Sequence, residues 1–107
     1  MKKHFLKCWL EEFDAIVAGK KRFDLRKNDR DYQVGDVLIL AKYDQYKKKF
    51  LPGYVAVEVT YVVDSKFGMK DGYCAMSFTG VAQATQEMKD YYLLMIGLAT
   101  NAHASKN

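Results

Sequence analysis

A nine-residue stretch of strict alternation is the feature that most restricts how this chain folds. From residue 55 to residue 63, Val or Tyr stands at every odd position, with Ala, Glu, Thr or Val between them. A period of two is typical of a strand with one buried face. The uninterrupted apolar run at residues 37–41 predicts a second strand, buried on both faces. The fold is therefore expected to be built around a β-sheet.

Shorter patterns predict further strands. Residues 3–8 and 73–78 predict the first and last strands of the sheet, and residues 22–26 alternate charged and apolar side chains as a strand would. Residues 43–53 predict a hairpin connection, in which three consecutive lysines form either a solvated tip or a phosphate contact. Seven side chains from these strands are expected in the core, namely Phe23, Leu25, Ile39, Val55, Val57, Val59 and Tyr61.

Helical spacing appears twice. Residues 9–18 predict a helix that ends at Gly19, a residue suited to a C-terminal cap. Residues 81–100 fit one amphipathic helix, although a strand within residues 90–98 is an open alternative, and residues 101–107 are expected to fray. The first helix is expected to turn its apolar positions toward the core, namely Trp9, Leu10, Phe13, Ile16 and Val17.

Length and composition limit the class of protein. A chain of 107 residues with a 50% hydrophobic content is one compact domain rather than a disordered tail. Residues 1–80 form the expected domain, and residues 81–107 a helical extension packed on it. Two distant cysteines give no zinc or disulfide pattern, and the longest apolar run is too short for a bilayer. We therefore expect a cytoplasmic protein without metal, cofactor or membrane partner, whose net charge of +4 permits polyanion binding.

The most informative segment lies at residues 19–31, where six basic and three acidic side chains are mixed. If Phe23 and Leu25 point into the core, Asp24 and Arg26 project together from the opposite face. Lys21 lies at the preceding turn, close enough to lean over the same region. Such a constellation suits recognition of a base edge and a phosphate, or acid–base chemistry, although residue pattern by itself favours a solvated face of weak ion pairs.

The spacing of these residues resembles a known signature. Gly19, Lys21, Asp24 and Arg26 match Gly-x-Lys-x-x-Glu-x-Arg of the ASCH domains in the PUA-like superfamily, with Asp in place of Glu. The following Arg-Lys-Asn-Asp-Arg-Asp and Val-Gly-Asp runs resemble the DUF3850 branch of small bacterial and phage proteins. The resemblance spans residues 4–78. It implies an α+β fold, a PUA-like small β-barrel of five or six strands with a flanking helix and an extra C-terminal helix.

The resemblance also implies a function. PUA-like domains bind RNA or modified bases, so we expect a binding module for RNA, a nucleotide or a modified base. In this hypothesis Arg26 and Lys27 contact phosphate, and Asp24 accepts a hydrogen bond from a base amine. The expected binding residues are Lys21, Asp24, Arg26, Lys27 and Arg30.

Two alternatives remain open. Some small ASCH proteins deacetylate N4-acetylcytidine with a Lys, a Thr and a Glu. Lys21 matches the Lys, Asp24 occupies the Thr position, and Glu58 is the guess for the Glu, so Lys21 and Asp24 would be catalytic in such an amidohydrolase. The other alternative is a phage-type interaction or inhibitor protein that forms a homodimer or binds a protein partner through residues 81–100.

Overall fold

A computed structural model of the chain describes residues 2–64, 68–81 and 84–104, with side chains described up to residue 100. Within these residues the fold contains five strands and two helices. In chain order they are β1 (Lys3–Trp9), α1 (Leu10–Val17), β2 (Phe23–Lys27), β3 (Val37–Asp44), β4 (Lys49–Asp64), β5 (Tyr73–Gly80) and α2 (Gln86–Ala104). The expected α+β class is confirmed.

The described strands form one mixed sheet in the order β1-β3-β4-β5-β2. β1 runs parallel to β3, and the other neighbouring strands are antiparallel. The sheet curls into a half-barrel, so that its two edge strands approach each other and Arg26 of β2 reaches a backbone carbonyl of β1. The predicted strands are found, but β3 and β4 extend through most of the expected hairpin connection and leave a turn of only four residues, 45–48.

Apolar side chains are buried on both faces of the sheet. The inner face holds one cluster, closed on one side by α1, and the outer face holds a second cluster, covered by α2. β3 contributes to both, because Leu38 and Leu40 point inward whereas Val37, Ile39 and Ala41 point outward. The prediction that β3 is buried on both faces is confirmed.

A bulge in β4 changes which side chains face the core. Val57 and Val59 are buried in the inner cluster as expected, and the pairing with β5 then shifts between Val59 and Tyr61. One extra residue reverses the alternation beyond it. Val62 therefore packs inward, and Tyr61 is 65% exposed, so its expected core position was wrong.

The first helix is shorter than expected. Trp9 belongs to the extended strand β1 and precedes the helix, which leaves its side chain 55% exposed. Ile16 is buried and Phe13 packs against the inner cluster, but Val17 is exposed. The core positions expected for Trp9 and Val17 were therefore wrong, since an eight-residue helix presents only a narrow stripe to the sheet. Gly19 follows the helix with a φ of 75°, the left-handed conformation expected of a C-terminal glycine.

β2 faces the opposite way from the expectation. Asp24 is buried and Arg26 half-buried on the inner face, whereas Phe23 and Leu25 are 49% and 57% exposed. The β5 residues paired with Asp24 and Arg26 are Met76 and Cys74, both fully buried, which fixes this orientation. The expected core positions of Phe23 and Leu25 were wrong because the outward face of this edge strand is left partly open.

The C-terminal segment is helical. α2 begins at Gln86 and continues to Ala104, so the alternative of a strand within residues 90–98 is excluded, and the expected fraying does not begin at residue 101. Residues 82–83 and 105–107 of these predictions, and residues 65–67 of the β4–β5 connection, lie outside the described residues. Tyr92 of α2 is buried against the outer cluster and stacks on Tyr54 with a centroid distance of 4.4 Å. Neither of the helices described here combines the length and the apolar character needed to span a bilayer.

Candidate functional site at the open side of the half-barrel

The free edge of β1 is capped by side chains instead of a neighbouring strand. Backbone carbonyls of alternate β1 residues point to this edge, and each accepts a hydrogen bond: Lys3 from Tyr91 Oη at 3.2 Å, Phe5 from Arg30 Nη1 at 2.9 Å, and Lys7 from Arg26 Nη2 at 2.7 Å. Unpaired strand edges invite association with other strands, so this capping protects the edge. Arg26 and Arg30, both expected to bind a ligand, thus have a structural contact as well.

Acidic and basic groups alternate along the inner side of this opening. Arg26 Nε donates to Asp24 Oδ2 at 2.6 Å, and Lys21 Nζ lies 3.9 Å from Asp24 Oδ1. Lys21 Nζ also donates to Glu12 Oε1 of α1 at 3.1 Å. The Asp24 side chain is only 9% exposed, and its carboxylate is held between two cations. The arrangement fixes both carboxylate oxygens in a partly dry environment, where charge-assisted hydrogen bonds are strong.

These groups surround a cavity of about 440 Å³, referred to below as the Asp24 cavity. Its volume lies in the range of small-molecule binding sites. Trp9 and Phe23, both about half exposed, are among its lining residues, and Lys21 Nζ is 5.4 Å from the centroid of the Phe23 ring. The complete lining is Lys7, Cys8, Trp9, Glu12, Lys21, Phe23, Asp24, Leu25 and Arg26.

The thiol in this cavity is a poor nucleophile. Burial, reinforced by the negative charge of Asp24, raises the pKa of Cys8 from 9.0 to about 11. At neutral pH the group is therefore a protonated thiol, and the reactive thiolate is scarce. Among the described residues of the lining there is no Ser or Thr hydroxyl.

The structure brings together some of the expected site residues. Lys21, Asp24 and Arg26 all line the Asp24 cavity. Lys27 and Arg30 line a smaller neighbouring depression of about 260 Å³, which Arg26 also borders. Glu58, the guess for a catalytic acid, is exposed on β4, where it pairs with Val37 and Thr79, and does not line the Asp24 cavity.

Six residues of the cavity lining were missed from the sequence, namely Lys7, Cys8, Trp9, Glu12, Phe23 and Leu25. Trp9 and Phe23 were both expected in the core, and no role was predicted for Glu12. The signal available for Trp9 and Phe23 was their position directly beside the ends of predicted elements, where side chains are often left exposed. No local signal marks Glu12, because its contact with Lys21 depends on the path of the turn that follows α1.

A buried polar cluster lies elsewhere in the half-barrel. His4 Nε2 is 2.8 Å from Asp36 Oδ2, and the His4 ring packs edge-on against buried Tyr32. Asp36 also accepts hydrogen bonds from the backbone N–H groups of Lys2 and Gln33. Although burial raises the pKa of Asp36, these hydrogen bonds outweigh it and lower the pKa overall. The cluster joins the start of β1 to the start of β3 and is a structural feature.

Metal-binding residues do not gather in the described part of the chain. Across residues 2–64, 68–81 and 84–100, no three side chains of His, Cys, Asp or Glu converge in a way that could hold a metal ion. The expectation that the protein uses no metal or cofactor stays a prediction.

Comparison with known proteins supports the DUF3850 part of the resemblance. The protein is an α+β half-barrel with a charged cavity at its open side, and its residues 3–78 match the model of a family described as "Domain of unknown function (DUF3850)". The chain belongs to that family. It is also 37% identical over 70 residues to an "Uncharacterized 12.9 kDa protein in GpA 3'region" of Escherichia phage P2. The match covers 65% of this chain and 62% of that relative.

Proposed function

We propose that the protein is a PUA-like (ASCH) barrel that binds a nucleobase of RNA, of a nucleotide or of a modified nucleoside in the Asp24 cavity. The observation that carries the proposal is that one cavity is lined both by Asp24, whose buried carboxylate is paired with two cations, and by two half-exposed aromatic residues, Trp9 and Phe23.

Each component of the cavity matches one part of a nucleobase. Aromatic rings stack on the face of a base, and this contact contributes about 1–3 kcal/mol per base. A carboxylate accepts a hydrogen bond from an exocyclic amine on the base edge, which a plain apolar pocket cannot do. Lys7 supplies positive charge for a phosphate attached to the bound nucleoside, and Arg26, although paired with Asp24, has further N–H donors that can contact the same phosphate. Lys27 and Arg30, in the adjacent depression, extend that charge.

Binding is better supported than amide hydrolysis. Lys21 beside Glu12 would suit proton transfer, but acyl transfer also needs a nucleophile. The described lining offers no hydroxyl, and the raised pKa of Cys8 keeps its thiol protonated. Asp24 is held by Arg26 and Lys21, which leaves its oxygens in place to accept hydrogen bonds rather than to attack a carbonyl.

Trp9 makes the proposal directly testable, because it is the sole tryptophan of the sequence. Titration with the four common nucleosides, their 5′-monophosphates and N4-acetylcytidine is expected to quench its fluorescence. The variant Phe23→Leu should weaken binding about tenfold by removing one stacking surface. The matched control Tyr61→Leu, on an exposed ring far along β4, should bind as the parent chain does. Absence of quenching and of calorimetric heat with every probe would refute the proposal.

The same samples test the hydrolase alternative. Incubation with N4-acetylcytidine is expected to give no cytidine. Turnover that disappears in Lys21→Ala would replace the binding proposal with an amidohydrolase in which Lys21 carries the proton.

A second candidate function is a protein contact through the outward side of α2. Leu93, Leu94 and Leu98 are each more than half exposed there. Light scattering at high protein concentration is expected to show a dimer or larger species if this side associates with itself. Leu94→Ser should then restore the monomer without changing nucleoside binding. A monomer at every concentration would count against a homodimer.

A further inference from the structure

A second and larger cavity lies beside the Asp24 cavity and shares Lys7 and Arg26 with it. Its volume is about 540 Å³, and it is referred to below as the Lys49 cavity. β1, the β3–β4 hairpin and the last turns of α2 form its walls. The lining comprises Phe5, Leu6, Lys7, Arg26, Arg30, Tyr43, Lys48, Lys49, Phe50, Ala99 and Thr100.

The charged groups of the Lys49 cavity are all of one sign. Five cationic side chains line it, and none of its described lining residues is Asp or Glu. Arg26 is already paired with Asp24, so most of the uncompensated charge comes from the other four cations. Arg30 uses one of its N–H groups to cap the Phe5 carbonyl, and its guanidinium has five such donors in all. A concave surface with this charge concentrates anions.

The hairpin that carries two of these cations is held in place. Asp44 Oδ1 accepts hydrogen bonds from the backbone N–H groups of Tyr46 and Lys47 at 3.0 Å each, which fixes the four-residue turn. Tyr46 Oη and Gln45 Nε2 donate to the two oxygens of Glu11 on α1, at 2.7 and 2.6 Å. Lys48, in this turn, and Lys49, the first residue of β4, therefore lie on a hairpin that is tied to α1.

Three aromatic residues, Phe5, Tyr43 and Phe50, are among the lining of the Lys49 cavity. Phe50 packs against Tyr43 and Phe5, with centroid distances of 5.0 and 5.6 Å. Lys7 Nζ lies 4.5 Å from the centroid of the Tyr43 ring. Cations beside aromatic rings are the combination that binds successive nucleotides of a single-stranded nucleic acid, because the phosphates contact the cations and the bases stack on the rings.

We propose that the Lys49 cavity binds the phosphate and the neighbouring nucleotide of a single-stranded nucleic acid whose preceding base occupies the Asp24 cavity. This inference rests on the proposed function and narrows its ligand to an oligonucleotide of at least two residues. Lys48 and Lys49 contact the bridging phosphate, and Tyr43 offers the next base a stacking surface.

The test compares nucleosides with dinucleotides by Trp9 fluorescence. The probes are adenosine, cytidine, guanosine and uridine, and the matching dinucleotides ApA, CpC, GpG and UpU, with their deoxy forms as a second arm. At low salt the best dinucleotide is expected to bind about tenfold more tightly than its nucleoside, because one phosphate gains cationic contacts. Tighter binding of the ribose arm than of the deoxyribose arm would identify RNA, and equal binding would identify single strands of either kind.

Three lysine variants locate the phosphate contact. Lys49→Gln and Lys48→Asn should remove most of the dinucleotide advantage and lower the slope of log K against log salt by roughly 0.7. Asn is chosen at position 48 because the backbone there has a φ of 54°, which Asn tolerates. Both variants should bind nucleosides as the parent chain does. Lys47→Gln carries the same charge change at the same turn but does not line the cavity, so it should leave all affinities unchanged.

The outcomes separate this inference from the proposed function. Nucleoside binding without tighter dinucleotide binding would refute the phosphate site in the Lys49 cavity, and so would an equal loss of dinucleotide affinity in Lys47→Gln and Lys49→Gln. Neither result would contradict base binding in the Asp24 cavity. No binding of any nucleoside or dinucleotide would overturn both. Dinucleotide binding that depends on Lys48 and Lys49 but is unchanged in Phe23→Leu would refute the base site in the Asp24 cavity. It would also refute the two-site arrangement.

Discussion

The Nη2 atom of Arg26 donates a 2.7 Å hydrogen bond to the backbone carbonyl of Lys7, and this contact joins the two edge strands of the sheet. The same guanidinium holds the buried Asp24 carboxylate at 2.6 Å through Nε. One side chain therefore completes the half-barrel and orients the acid of the candidate site. A planar group with several donors can do both, which a lysine ammonium at the end of a flexible chain does less well.

Removal of Arg26 is expected to destabilise the fold. Arg26→Ala leaves Asp24 buried without its nearest cation and uncaps the Lys7 carbonyl, so the free energy of unfolding should fall by about 3 kcal/mol. Lys27→Ala, one residue along the same strand but exposed, should change it by less than about 0.5 kcal/mol. Urea denaturation measures both. Equal, small effects in the two variants would show that the Arg26 contacts contribute little to stability.

The orientation of β2 gives a second prediction. Leu25→Thr should lower the free energy of unfolding by less than about 1 kcal/mol, because the Leu25 side chain is mostly exposed. The same substitution at fully buried Leu38 should lower it by about 3 kcal/mol or more. Thermal and urea denaturation compare the pair. A large loss at Leu25 would mean that Phe23 and Leu25 are buried after all.

The sequence predicted the burial of a strand correctly where its apolar content allows only one placement. The continuous run of β3 permits no solvent-facing side, so burial on both faces followed directly. β2 mixes charged and apolar residues at equal spacing, and a period of two defines two faces without saying which is inside. Its orientation is decided by Met76 and Cys74 on β5, which are distant in sequence. The bulge after Val59 likewise has no marker in the alternating pattern.

The part of the candidate site that comes from neighbouring residues in the sequence was predictable. Lys21, Asp24 and Arg26 lie within six residues on one turn and strand, so their spacing placed them together. Glu12 joins them because the turn after α1 brings Lys21 back within hydrogen-bond distance of it. The roles of Arg26 and Arg30 as edge caps could not be derived either, since nothing in the local sequence identifies β1 and β2 as the edge strands.

The loss of folding stability at acid pH should depend on Asp36. Hydrogen bonds from His4 and two backbone N–H groups lower the pKa of Asp36 in the folded chain below its ordinary value of 3.8. The unfolded chain therefore binds a proton more readily, and the stabilisation is complete above the ordinary pKa and is lost as the pH falls through the lowered value. Asp36→Asn should be less stable near neutral pH and should lose less stability than the parent chain between about pH 5 and pH 2.

Urea denaturation at a series of pH values measures this difference. Asp31→Asn is a matched control, because Asp31 is exposed in the connection that precedes β3. Parallel stability curves for the parent chain and Asp36→Asn would show that the buried carboxylate does not contribute to acid sensitivity.

The last prediction concerns how firmly α2 is attached to the sheet. The Tyr92 ring stacks on Tyr54 and lies against Phe5, and its hydroxyl accepts a hydrogen bond from the backbone N–H of Gly53 at 3.3 Å. Tyr92→Ala removes this contact and should lower the free energy of unfolding by roughly 3 kcal/mol, as truncation of a buried aromatic ring does. Leu93→Ala, at the next residue of the same helix but on its exposed side, should change it by less than about 1 kcal/mol.

Because Ala99 and Thr100 of α2 line the Lys49 cavity, a detached helix would also open that cavity. Hydrogen exchange should therefore show α2 amides opening with the global unfolding of the sheet in the parent chain and well before it in Tyr92→Ala. Early exchange of α2 in the parent chain would instead mean that the helix is a separately unfolding element.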